Sequence, residues 1–239
     1  MTMPENPHGL PVQWHSEEHP GALAQALANR VSDQLRRGLA DRGEALLVVA
    51  GGNTPKPFLA RLAEILLDWA RVRVVLTDER WVAPDHPDRN SAMIREVLLK
   101  GPAAQADFHE LLAEGREDLQ AAASEASIRL KNLPWPATVV VLGLGEDGHT
   151  ASLFPDAPEL GAALADGAPL VVAATPASQK TSRLTLSASA LKGASLTTLL
   201  IQGEGKREAL GRALEQPSAI RQAPIRAFFQ QPLEVFWCP

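Results

Sequence analysis

One cysteine, no tyrosine and no long apolar run are the first facts of this 239-residue sequence. The lone thiol, Cys238, lies one position from the last residue, so no internal disulfide and no cysteine-built zinc cluster can form. Such usage fits a reducing, cytoplasmic setting. Without tyrosine, any acid, base or oxyanion donor has to come from His, Asp, Glu, Lys, Arg or the backbone. No stretch approaches the ~18 apolar residues of a membrane span, and the opening MTMPENPHG has neither the cationic nor the apolar region of a secretory leader. An excess of basic charge is missing as well. The formal net charge of -5 opposes a general affinity for nucleic acid and leaves room only for a local basic pocket. Neither a nucleic acid nor a membrane is therefore expected as a partner, and no feature points to an obligate protein partner.

What is present is ordinary for a folded chain. Hydrophobic residues at 45% and charged residues at 21% exclude disorder and fibre. Proline-containing stretches at 132–136, 155–158 and 217–224 are too short for interdomain linkers, so one domain over 1–239 is expected. Apolar runs at 45–50, 72–77, 138–142, 170–174 and 196–201 are short, rich in Val and Leu, and mostly lack polar alternation. They read as strands buried on both faces. Leu23, Leu27, Val31, Leu35 and Leu39 form a helical stripe, as do Phe58, Leu62, Leu66 and Trp69, and again Leu119, Ala122, Ala126, Leu130 and Leu133. Strands separated by helices need crossovers. The expected fold is therefore α/β, a doubly wound, mostly parallel sheet with helices on both faces.

Ligands in such sheets bind beyond the carboxyl ends of the strands, and the sequence is unusual there. The first run ends in AGGNTP, the second in TDERW, the third in GLGEDGH and the fifth in QGEGK. In the first of these, Gly51 and Gly52 permit a tight turn with exposed amides, Thr54 can cap, and Pro55 suits the first helical position. Free N–H groups at a helix start make an anion site, although a plain strand-to-helix turn would look the same. It is not a Walker loop, because no G-K-[ST] follows.

Gly143, Gly145 and Gly148 spell a literal G-x-G-x-x-G. Pro155 stops any long helix behind it and the next strand carries no acid for a ribose, so a nicotinamide site is disfavoured. Asp147 and His149 flank the third glycine, a spacing that can present an imidazole with a carboxylate close enough to orient it. A neutral histidine there is a candidate general base; a histidine serving only the loop backbone is the alternative. Asp78, Glu79 and Arg80 follow the second run and read in isolation as a solvated turn. At this rim of the sheet, Arg80 could instead bind an oxyanion, with the acids holding it. Lys206 at a helix start opposes the helix dipole, which an anionic ligand would justify, and Arg183 is the remaining basic candidate.

Two patterns mislead. His15 to His19 spell H-x-x-E-H, but the first follows a strand-like VQW and Pro20 opens the next helix, so no helix carries both histidines and no metal is expected. There is no G-x-S-x-G and Cys238 is terminal, so a covalent mechanism has no visible nucleophile and water would attack directly.

In order along the chain, these segments resemble the 6-phosphogluconolactonase family. AGGNTP resembles its S-G-G-S-T-P turn, LTDERWVAPDHPDRNSAMIREVLL its D-E-R-x-V-P segment, and LGLGEDGHTASLFP its G-x-G-x-D-G-H-x-A-S-L-F-P block; SRLTLS and GEGK match later pieces. The resemblance implies a modified Rossmann-like sheet and hydrolysis of 6-phospho-D-glucono-1,5-lactone, a small-molecule sugar-phosphate lactone, with no cofactor and no metal. It implies that His149 is the general base and Asp147 its orienting partner. Arg80 would meet the oxyanion or substrate hydroxyls, with Asp78 as a second acid or base. Gly51, Gly52, Asn53 and Thr54, with Arg183 and Lys206, would clamp the phosphate. The chain departs from the pattern at Ala50 and Asn53, where the family has serines, and at Arg89, where Ser-Asn is usual for Arg89-Asn90. Two rivals share the fold: a glucosamine-6-phosphate deaminase, disfavoured by Arg80-Trp81 and by the run Ala151 to Phe154, and a non-catalytic sugar-phosphate-binding module of a transcription regulator. Such modules carry a DNA-binding helix-turn-helix, for which the residues before Ala45 leave too little chain.

Overall fold

A computed structural model of the chain describes residues 4–113, 115 and 117–239. Ten strands are β1 (Val12–Ser16), β2 (Ala45–Val49), β3 (Val72–Leu76), β4 (Asp78–Arg80), β5 (Asp107–His109), β6 (Val139–Leu142), β7 (Val171–Ala174), β8 (Arg183–Leu186), β9 (Leu196–Gln202) and β10 (Leu233–Cys238), counted among the described residues. The α-helices are α1 (Pro20–Arg42), α2 (Lys56–Ala63), α3 (Asn90–Val97), α4 (Leu119–Leu130), α5 (Leu160–Leu164), α6 (Ala188–Leu191) and α7 (Glu204–Glu215).

The fold is α/β, with a central seven-stranded sheet in the order β1-β10-β9-β6-β2-β3-β5. Every pairing in it is parallel. Five consecutive residues of β2 and all four of β6 are buried, so both faces of the sheet centre are covered. From β2 the chain runs outward through β3 to β5, then returns to the other side of β2 and runs outward again through β6, β9 and β10. The strand order therefore reverses between β2 and β6. A crevice opens at such a switch point, and the turns after these two strands are its walls.

The run at 170–174 was expected to join this sheet and does not. Val171–Ala174 is β7 of a separate three-stranded antiparallel sheet, β4-β8-β7. It is apolar because α4 covers it, with Ser127 Oγ accepting from the Val171 amide and donating to the Val171 carbonyl. Asp78, Glu79 and Arg80, which read as a charged turn, form the edge strand of the same sheet.

Two helical details also differ. α2 ends at Ala63: the Glu64 and Ile65 amides close on carbonyls three residues back, which tightens the turn and rotates the chain out of register. Leu66 is consequently 79% exposed, while Trp69 is buried from a short 3-10 turn. Thr54 does not cap α2. Pro55 occupies the N-cap position with no side-chain cap, one residue before the place expected for it. The stripe from Leu23 to Leu39 is buried along α1, whose N-cap His19 accepts from the Ala22 amide. Buried apolar side chains of both sheets and their helices form one continuous cluster.

Candidate active site

A cavity of about 220 Å³ lies over the carboxyl ends of β2, β6 and β9. Its walls include Gly51 to Pro55 after β2, Gly143, Leu144, His149 and Ala151 after β6, Gln202 and Lys206 after β9, and Asp78, Arg80 and Asn90 from β4 and α3. Nine of the ten residues expected at the site can be placed relative to this cavity by contact or by a bond to a lining group: Gly51, Gly52, Asn53, Thr54, Asp78, Arg80, His149 and Lys206 line it, and Asp147 is bonded to His149. Arg183 is the exception.

The turn after β6 carries the imidazole. Gly148 has φ of 82°, a left-handed conformation that lets the chain reverse between Asp147 and His149. Asp147 Oδ1 then lies 2.6 Å from His149 Nδ1 and also accepts the His149 amide at 3.1 Å. Burial pushes the Asp147 carboxyl up, but the hydrogen bond and charge of His149 outweigh it and hold the group below its ordinary value. Phe154 packs against the ring, centroids 4.1 Å apart. With Nδ1 tied to a carboxylate, the tautomer that results leaves Nε2 as the proton acceptor. No room exists for a side chain beneath this arrangement: a Cβ on Gly145 would overlap the His149 ring.

The turn after β2 supplies the donors. Among the described residues, the amides of Gly51, Gly52, Asn53 and Thr54 make no hydrogen bond. They sit together at the start of α2, where the partial positive charge of the helix adds to them. Lys206, in the first turn of α7, lines the same cavity and makes no ion pair among the described residues. Amides and an ammonium left unsatisfied around one cavity could receive an anion.

In the same cavity, Arg80 Nη1 donates to the Asp88 carbonyl (2.7 Å) and to Asn90 Oδ1 (2.8 Å). Asn90 Nδ2 donates in turn to the Asp78 carbonyl (2.9 Å). The Asp78 carboxylate accepts from Thr77 Oγ1 (2.9 Å) and from Ser152 Oγ (2.6 Å). Sequence reasoning assigned nothing to Asn90, Ser152 or Thr77. Ser152 stands inside the ASLFP block and Asn90 inside the segment matched to D-E-R-x-V-P, so the motifs contained both residues without saying what they touch.

Arg183 does not line the cavity. β8 sets it opposite Arg80 in the antiparallel ladder, and its guanidinium donates to the Thr181 and Ser182 carbonyls and to Gln179 Oε1. Burial pushes that guanidinium below its ordinary value, with Asp78 pulling it back and Arg80 adding to the push. The H-x-x-E-H pair is split as its surroundings suggested: His15 lies on β1 stacked on Phe236, and His19 caps α1.

An oriented imidazole and unbonded amide donors at the switch point of a parallel sheet fit an α/β enzyme that acts on an anionic small molecule. A family model described as glucosamine-6-phosphate isomerases/6-phosphogluconolactonase matches residues 18–237, and the chain belongs to that family. A 6-phosphogluconolactonase of Pseudomonas putida is 42% identical over 95% of this chain and 93% of its own. One of Pseudomonas aeruginosa is 43% identical over 90% of each. The crystal structure of a 6-phosphogluconolactonase from Shewanella baltica OS155 superposes with a TM-score of 0.92 at 38% identity, covering 97% of this chain and all of that one. Within the family, the chain groups with the 6-phosphogluconolactonases.

Proposed function

We propose that the chain hydrolyses 6-phospho-D-glucono-1,5-lactone to 6-phospho-D-gluconate, with His149 as the general base. One observation carries the reading: the imidazole tied to Asp147 and the unsatisfied amides with Lys206 open onto one cavity. The phosphate dianion docks on the Gly51 to Thr54 amides and Lys206, while Arg183 adds positive potential from behind Arg80. Docking fixes C1 of the lactone near His149, and much of the rate comes from that positioning.

Water then attacks C1 as His149 Nε2 takes its proton. Asp147 holds the ring in the required tautomer and stabilises the imidazolium that forms. Negative charge grows on the former carbonyl oxygen, where the free Nε and Nη2 of Arg80 meet it. Collapse breaks the bond from C1 to the ring oxygen, and His149 returns its proton to that oxygen. Asp78, held by two hydroxyl donors, presents an acceptor to the sugar hydroxyls and is the second acid or base candidate. A lactone is already an activated ester, so this chemistry calls for no metal and no cofactor. In this reading one α/β domain over residues 1–239 does the work in the cytoplasm, without nucleic acid, membrane or an obligate protein partner.

The test is a coupled assay in which lactone is generated in situ. His149→Ala is expected to lose about 10²- to 10⁴-fold in kcat with little change in KM. Lys206→Ala is expected mainly to raise KM. An unaffected His149→Ala enzyme removes the base assignment, and an unmoved KM in Lys206→Ala removes the cradle.

A further inference from the structure

Directly behind Arg80 lies a carboxylate that the mechanism above does not use. Glu79 is 1% exposed. Its Oε1 accepts from the amides of Arg80 (2.7 Å) and Asn90 (2.8 Å), and its Oε2 from the amide of Ser91 (2.8 Å). α3 begins at Asn90, and Arg89 in its N-cap position makes no side-chain cap. The orphan amides at the start of that helix are therefore satisfied from another element, by a carboxylate reaching across from β4. Burial pushes Glu79 up from its ordinary value while the three amides pull against it.

A second buried charge accompanies it. Arg89 is 4% exposed, and its Nε lies 3.7 Å from Glu79 Oε2. That Nε donates to Ser91 Oγ (3.2 Å), while Nη1 donates to the Val82 carbonyl and Nη2 to the Leu112 carbonyl and to Glu110 Oε2. At 3.7 Å the two groups face each other as charges and not through a hydrogen bond, and each is satisfied by other partners: Glu79 by three amides, Arg89 by Ser91, two carbonyls and Glu110.

We propose that Glu79 is a positioning residue for Arg80, acting through Asn90, with Arg89 neutralising it from behind. The proposal rests on the reading of Arg80 as the group that meets the developing oxyanion. Glu79 fixes the backbone of Asn90, and the Asn90 side chain bridges the Asp78 carbonyl and Arg80 Nη1. With Nη1 held by Asn90 and Asp88, the plane of the guanidinium is set before substrate arrives. Its Nε and Nη2, which have no partner among the described residues, are the donors left for the ligand. A donor fixed in advance costs no reorganisation when charge develops. The group has to be a carboxylate, because three N–H donors converge on its two oxygens and an amide would set an NH₂ against at least one of them.

The test compares Glu79→Gln in two backgrounds in the lactone assay. In the wild-type background kcat is expected to fall by about tenfold or more, with KM moving less than about threefold because the phosphate cradle is untouched. In the Arg80→Ala background the same change is expected to cost less than about threefold in kcat, since the group it positions is gone. Equal losses in both backgrounds overturn the proposal, because a residue that only supports the fold damages both proteins alike. If Arg80→Ala keeps the wild-type kcat, the role of Arg80 falls and this proposal with it, whereas the base assignment stands or falls on His149→Ala. Should Glu79→Gln fail to fold, Asn90→Ala leaves the backbone amides on Glu79 and carries the same comparison. Non-additivity with Arg80→Ala is expected, and additivity overturns it.

Discussion

His149 and Arg80 look onto one cavity and are held there by different means. The imidazole is fixed by its own turn: Asp147, two residues back, takes both its Nδ1 and its backbone amide, and Gly145 leaves the space the ring occupies. The guanidinium is fixed by a corner where β4 meets α3, through Asn90, the Asp88 carbonyl and the buried pair of Glu79 and Arg89. Even Asp78, on the same strand, depends on Ser152 from the far turn. A locally built group keeps its geometry as long as its own few residues do. A group built by two elements inherits every shift in how those elements pack.

The sharpest way to break this contrast is Gly145→Ala. The position does not need a positive φ, so the backbone accepts alanine, but the new Cβ overlaps the His149 ring. A loss of about 10²-fold or more in kcat is expected, with circular dichroism unchanged. Retained turnover would show that more than the turn holds the imidazole. Gly51→Ala probes the other side, because its Cβ would overlap the Asn90 amide group. The expected result is a smaller kinetic loss, about tenfold in kcat/KM, together with about 1–3 kcal/mol of destabilisation from overpacking, read by denaturant titration. Lost stability without any kinetic change would mean that Arg80 does not need Asn90.

The smallest effect is in the pH dependence of stability, where the two sides have opposite signs. Asp147 is held below its ordinary 3.8, so its contribution is present above that value and is lost as pH falls through the lower folded one. Glu79 is pushed above 4.5, so the folded state keeps its proton longer and the contribution declines as pH rises from 4.5 through the higher folded value. Denaturant titrations across the acid range should therefore show Asp147→Asn flattening the acid-side loss and Glu79→Gln removing the decline above it. Slopes that change in the same direction would contradict the difference in environment.

The same contrast explains what could be read from the chain. The turn at Gly143 to His149 was legible because its interacting groups are neighbours in sequence, and β2, β3, β6 and β9 because a strand buried on both faces needs an unbroken apolar run. β4 was not, since the burial of Glu79 depends on the amides of Asn90 and Ser91, and nothing local tells a capped carboxylate from a solvated one. Arg183 was placed in the phosphate clamp by motif, but its direction is set by pairing with β4, an antiparallel contact with no local signal. Leu170–Ala174 read as part of the central sheet because burial under α4 produces the same apolar composition as burial in the middle of a sheet. β10 had the signal, an apolar run from Val235 to Cys238, and it went unused.

The placement of β10 bears on how the molecule is made. Among the described residues, β1 sits at the sheet edge and pairs only with β10, Val12 lying opposite Leu233, and β10 joins it to β9. During synthesis β1 must wait for this pairing until β10 leaves the ribosome, and contacts this distant in sequence form late. Removing β10 would therefore detach β1 with it, although neither strand contributes a side chain to the cavity.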